Sequence, residues 1–97
     1  MTKRDAVMQV ILAAIDEVNE ARPPRERVAK AQDTVLIGDG GALDSLALVN
    51  LIVSVEEGIE KQFGVGISLV ELLTDKAESS PFRTPAALAD HLVALVP

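Results

Sequence analysis

Residues 45–63 most narrowly limit what this chain can become. Leu48, Leu51, Ile52, Val55, Ile59 and Phe63 recur at steps of three and four. At about 100° per residue that spacing puts them on one side of an α-helix. Asp44 stands just before the run, where a short acceptor side chain caps a helix. Gly64-Val65-Gly66 closes it as a C-terminal glycine does. A helix so apolar must bury that side, so the rest of the chain has to cover it.

Two further helices are predicted to do so. Over residues 5–20, Val7, Val10, Ile11, Ala14, Ile15 and Val18 keep helical spacing, with Asp5 as N-cap and Ala21-Arg22-Pro23-Pro24 as the stop. Over 85–95, Thr84 is the N-cap, Pro85 takes the first position, and Leu88, Leu92 and Leu95 point inward. A shorter helical turn is expected over 69–75, broken by Ser79-Ser80-Pro81. Residues 21–43 form a long connection, and loops of that length in small domains are often functional. Within it, Val35-Leu36-Ile37 reads as an apolar plug tucked into the core, and Gly38-Asp39-Gly40-Gly41 as a turn. Aromatics are only 2% of the chain, with no Trp and no Tyr, so the core is aliphatic. That composition favours packed helices over a β-sandwich. The expected fold is all-α: a four-helix bundle of three main helices and one short one, with a long loop between the first two. At 97 residues it is a single domain, 1–97.

Charge and composition remove several functions. The net charge is −6, whereas a nucleic-acid binder normally carries the opposite sign. Six Lys/Arg face five acids in residues 1–30, and three face ten in 31–97, so the acidic surface belongs to the later part. Its natural partners are basic protein patches. No apolar run reaches the roughly 18 residues of a membrane span. The opening MTKRD is no secretory signal, so the expected compartment is the cytoplasm. There is no Cys, hence no disulfide, thiolate metal site or thiol nucleophile. The glycine turn lacks the Lys-Ser/Thr of a phosphate loop and the ligand spacing of an EF-hand. His91 is the single histidine, and no G-x-S-x-G elbow supports a hydrolase. Neither a catalytic centre nor a metal site is expected.

The helix 45–63 carries a second apolar stripe. Leu46, Val49 and Val53 centre roughly 130° from the core side. The stripe continues into Glu56 and Glu60, with Glu57 beside them. Aliphatics giving way to carboxylates on one face suggest a transient protein-docking surface. At the head of the same helix is Ser45, next to the unpaired N–H groups and positive dipole end that favour a phosphate-like anion. The residues thus suggest a serine that receives a phosphate ester, with a docking face beside it.

The stretch Leu43-Asp44-Ser45-Leu46-Ala47-Leu48-Val49 resembles the D-S-L signature of acyl carrier proteins. The likeness extends over most of the chain: a first helix, a long loop, a serine-headed second helix, a short third and a final fourth. Phe82-Arg83-Thr84-Pro85 and Ala89-Asp90-His91-Leu92 fit the family's last helix. The resemblance implies 4′-phosphopantetheine esterified to Ser45 by a phosphopantetheinyl transferase, with Asp44 in the recognition motif. The thiol of that arm would hold acyl groups as thioesters. Leu46, Val49, Val53, Glu56 and Glu57 then match recognition positions for acyl-loading and acyl-processing enzymes with basic patches, and Glu60 extends the acidic end. The implied protein is a stand-alone, monomeric, non-catalytic carrier in fatty acid, polyketide or related biosynthesis. Ala47 and Asn50 stand where acidic residues are common in fatty-acid carriers, and 45–63 and 69–81 are longer than usual. These departures suggest a specialised member. Plainer readings stay open: Ser45 as an N-cap, the stripe packed on the loop, the carboxylates as a solvated face. So do an aminoacyl or peptidyl carrier and an unmodified helical adaptor.

Overall fold

The structure, a computed structural model, describes residues 2–37, 41, 43–69 and 82–96, with Ser45 described by its backbone. It is all-helical. In chain order come α1 (Lys3–Glu20), a 3-10 turn at Pro24–Glu26, α2 (Ser45–Phe63) and α3 (Pro85–Val93), and there is no strand among the described residues. The part of the predicted turn at 69–75 beyond Leu69, the break at Ser79-Ser80-Pro81 and the Gly38-Asp39-Gly40 part of the glycine turn lie outside the described residues.

α1 begins earlier than its periodicity predicts. Thr2, not Asp5, is the N-cap: its hydroxyl accepts the Asp5 N–H at 3.1 Å, and the Asp5 carboxylate accepts the Thr2 N–H at 3.2 Å. This reciprocal capping box satisfies two orphan donors where Asp5 as a cap would satisfy one. The buried stripe also differs by one member. Met8 is buried, while Val10 is only half-buried. α1 packs against both α2 and α3, and a helix with two neighbours buries a wider face than one with a single partner. Val10 instead packs over Gly58 of α2. A Cβ on Gly58 would fall 2.6 Å from Val10 Cγ1, so the missing side chain is what lets the helices meet there.

α2 runs as predicted from Asp44 to Gly64. The Asp44 carboxylate accepts the Ala47 N–H at 2.8 Å, and Gly64 adopts the left-handed φ of 72° that ends the ladder. Leu51, Ile52, Val55 and Ile59 are fully buried, whereas Leu48 and Phe63 are half-buried toward the ends. α3 is capped by Thr84, whose hydroxyl accepts the Ala87 N–H at 3.1 Å, with Pro85 at its first position. It stops at Val93, short of the predicted 95. The Leu95 and Val96 N–H groups both turn back to the Leu92 carbonyl. That tightening sends Leu95 outward, 47% exposed, and Val96 inward, 5% exposed, so Leu95 is not a core residue. Lys3 Nζ reaches the Val93 and Val96 carbonyls at 3.5 and 3.0 Å, a cation on the negative end of α3.

The long connection is tied down at defined points. Leu36 is fully buried, as the apolar plug predicts. Its N–H donates to the Arg83 carbonyl at 2.7 Å, and its carbonyl accepts from Leu43 at 2.9 Å, so one residue fixes the approaches to both α3 and α2. Earlier in the loop, Asn19 acts as a surrogate backbone partner. Its Oδ1 accepts the Val28 N–H at 2.7 Å and its Nδ2 donates to the Val28 carbonyl at 2.9 Å, holding Val28 in the core at 4% exposure. Asn19→Ala removes both bonds and strands two part-buried backbone groups. We expect a loss of about 1–3 kcal/mol, read as a lower urea midpoint with an unchanged slope.

Candidate functional site

Ser45 is the first residue of α2. The capping that this helix start requires is supplied by the residue before it, because Asp44 already holds the Ala47 N–H. The first intrahelical bond follows at once, Leu48 N–H to the Asp44 carbonyl at 2.9 Å. A phosphate ester on residue 45 would therefore stand at the positive end of a 19-residue helix dipole whose cap does not depend on it.

The second stripe is solvent-facing. Leu46 is 72% exposed, Val53 43% and Val49 41%. Among the described residues the other large exposed hydrophobic is Leu95, on the far side of the chain order. Leu46, Val49 and Val53 thus form an aliphatic face running down from the head of α2. Glu57 and Glu60 continue it as exposed carboxylates. Glu56 behaves differently. It is half-buried, and its carboxylate accepts the Leu69 N–H at 2.7 Å, fastening the segment after α2 onto the helix while Leu69 itself is fully buried. The helical period could have shown this: at 100° per residue Glu56 lies between Val49 and the buried Ile52, on the border of the core side.

Sequence reasoning missed a groove on the other flank of α2. It has a volume of about 460 Å³, and its walls include Val18, Ala21 and Arg22 from the end of α1 and Leu46, Asn50 and Val53 from α2. Asp44 and Leu46, the chain neighbours of Ser45, both line it. No signal in the spacing pointed to it, because Ala21 and Asn50 fall outside the core stripes of both helices.

His91 sits in the last turn of α3, half-buried, on a different element from Ser45. Among the described residues no three His, Asp or Glu side chains are grouped to hold a metal ion, and no helix is long and apolar enough to cross a membrane. No protein-family model, curated protein or solved structure matches the chain.

Proposed function

We propose that this chain is an acyl carrier protein, bearing acyl groups as thioesters on 4′-phosphopantetheine esterified to Ser45. The observation that carries this reading is one helix. A serine follows directly on its Asp44 cap, and the exposed face beside it passes from Leu46, Val49 and Val53 to Glu57 and Glu60. The surroundings suit the group chemically: the α2 dipole for its phosphate, and Arg22 and Asn50 as polar neighbours of the arm. The arm supplies the thiol that a chain without Cys lacks.

A phosphopantetheinyl transferase, with coenzyme A and magnesium, performs the loading. A P–O bond forms to the Ser45 oxygen and the pyrophosphate bond of coenzyme A breaks. Adenosine 3′,5′-bisphosphate leaves and the serine proton passes to the transferase's base or to water. This chain's own contribution is to present the hydroxyl and to be recognised. It catalyses no bond change. In this reading the protein is a cytoplasmic monomer, and the turn over 69–75 completes an acyl-carrier-like four-helix bundle.

Partner enzymes with basic patches are steered to α2 by Glu57 and Glu60 and held weakly by the aliphatic stripe, with Asp44 and Glu56 at its two ends. Small interfaces of that kind release quickly, as a carrier visiting several enzymes requires. Leu46→Ala and Val49→Ala are expected to change folding stability by no more than about 0.5 kcal/mol. They should weaken a partner's apparent affinity by roughly five- to thirtyfold. The measurement is partner turnover against concentration of the loaded protein. The identity test is intact mass after incubation with coenzyme A, magnesium and a broad-specificity transferase. A gain of one phosphopantetheine on the wild type is expected, and its absence overturns the assignment.

A further inference from the structure

The two halves of α2 differ in charge. Residues 45–55 hold no charged side chain, and residues 56–61 hold four: Glu56, Glu57, Glu60 and Lys61. Glu56 is engaged by the Leu69 N–H, and Lys61 lines a hollow of about 290 Å³ toward α1 together with Gln9 and Ala13. Glu57 stands between that hollow and the aliphatic stripe, and Glu60 lies in line with the stripe. Both are exposed, and neither belongs to the ion pairs of the described residues, Arg4–Asp90 and Lys30–Asp16.

The head of the helix is different. Its exposed positions are Leu46, Val49, Asn50 and Val53. The charges bordering them are answered where they stand. Asp44 holds the Ala47 N–H at the positive end of the dipole, Arg22 lines the groove wall beside it, and Glu17 accepts the Ser54 hydroxyl at 2.5 Å. At about 1.5 Å per residue, Glu57 and Glu60 lie about 18 and 23 Å along the axis from Ser45. The screening length at physiological salt is about 8 Å. Cations gathered around the entrance to a partner's active site therefore gain little from these two carboxylates, and they lose water against Leu46, Val49 and Val53.

We propose that α2 selects its partners by where their cations lie. The matching enzyme has an uncharged, apolar rim around the entrance for the arm and Lys or Arg side chains about 18–23 Å from it, the span from Ser45 to Glu57 and Glu60. This rests on the carrier reading. Two separate marks, one apolar and one ionic, also fix the direction of docking. Turned end for end, the same partner sets its cations on Leu46 and leaves Glu57 and Glu60 against apolar surface. Asn50 carries the selectivity at the head: exposed and uncharged, it offers no counter-charge to an enzyme whose cations ring the entrance itself.

The test uses the full chain and two phosphopantetheinyl transferases of known structure. One has Lys and Arg around its coenzyme A entrance; the other has an uncharged entrance and cations about 18–23 Å away. Intact mass is read first. No phosphopantetheine gained with either enzyme overturns the carrier assignment, and this proposal with it. Given loading, Glu57→Gln combined with Glu60→Gln should lower kcat/KM with the second enzyme about two- to tenfold, the range of two exposed ion pairs, and flatten its dependence on salt. Asn50→Glu should raise kcat/KM with the first enzyme about two- to fivefold, the range of one such pair, and should not raise it with the second. All three residues are exposed, and circular dichroism of each variant verifies the helices. A double variant loaded by the second enzyme as fast as the wild type overturns the spacing and leaves the carrier assignment standing. An Asn50→Glu protein loaded no faster by the first enzyme does the same.

Discussion

Ser45→Ala should abolish phosphopantetheine loading completely while leaving the fold untouched. On the carrier reading the loss is all-or-none, because the ester oxygen would be the one atom of the chain bonded to the arm and alanine has no replacement for it. The unchanged stability follows from the position of the cap. Were Ser45 the N-cap, removing its hydroxyl would cost about 0.5–2 kcal/mol. Asp44 fills that role, holding the Ala47 N–H at 2.8 Å, and Ser45 is already the first helical residue. Alanine is favoured inside a helix, so Ser45→Ala should shift stability by no more than about 0.5 kcal/mol. Asp44→Ala should show the reverse pattern in stability, losing about 1 kcal/mol as the cap goes. Intact mass and urea titration of the two variants side by side separate an attachment serine from a capping one. A Ser45→Ala protein that still gains the arm refutes the site, and one that loses as much stability as Asp44→Ala refutes the account of the cap.

Phe82→Ala should be the most damaging single truncation in the described core, at about 3–5 kcal/mol. Phe82 is 1% exposed and heads the fully buried side chains by volume, in a core otherwise made of Leu, Ile, Val, Ala and one Met. Neighbours of that kind lack the bulk to collapse into the space an aromatic ring leaves, so the cavity term persists. Small domains are marginally stable, at about 5–15 kcal/mol. The variant should therefore lose a large share of its stability and show a much lower urea midpoint. Phe63, the other aromatic, is half-buried at the end of α2. Phe63→Ala should cost distinctly less, which makes it the control. Equal losses from the two would contradict the burial difference.

On the carrier reading, loading and stability should respond to different residues. Leu46, Val49 and Val53 are exposed, so the docking part of that reading can be probed without unfolding the protein. Glu56 is the exception. Its bond to the Leu69 N–H makes it part of the scaffold as well as a neighbour of the proposed docking face, and a change there confounds the two effects.

Much of this was legible in the chain itself, because local rules act locally. A 3.6-residue period, an aspartate ahead of it and a glycine behind it determine α2 wherever the helix is placed, and its ends lie at Asp44 and Gly64. The same logic locates Thr84 and Pro85 at the start of α3, and the outward stripe of Leu46, Val49 and Val53 opposite the core side. What periodicity cannot carry is which neighbour each face meets. Met8 entered the core because α1 has two partners. Val10 was drawn to the seam because Gly58 leaves room there, and Leu95 yielded to Val96 because the last carbonyls of α3 recruited their own donors. Asn19 gripping Val28, Glu56 gripping Leu69 and the groove beside Ser45 all join residues distant in the chain or on separate helices. Spacing along one helix encodes its own faces, but side-chain hydrogen bonds and hollows arise only when two backbones are brought to a particular separation, and that separation is a property of the assembled bundle.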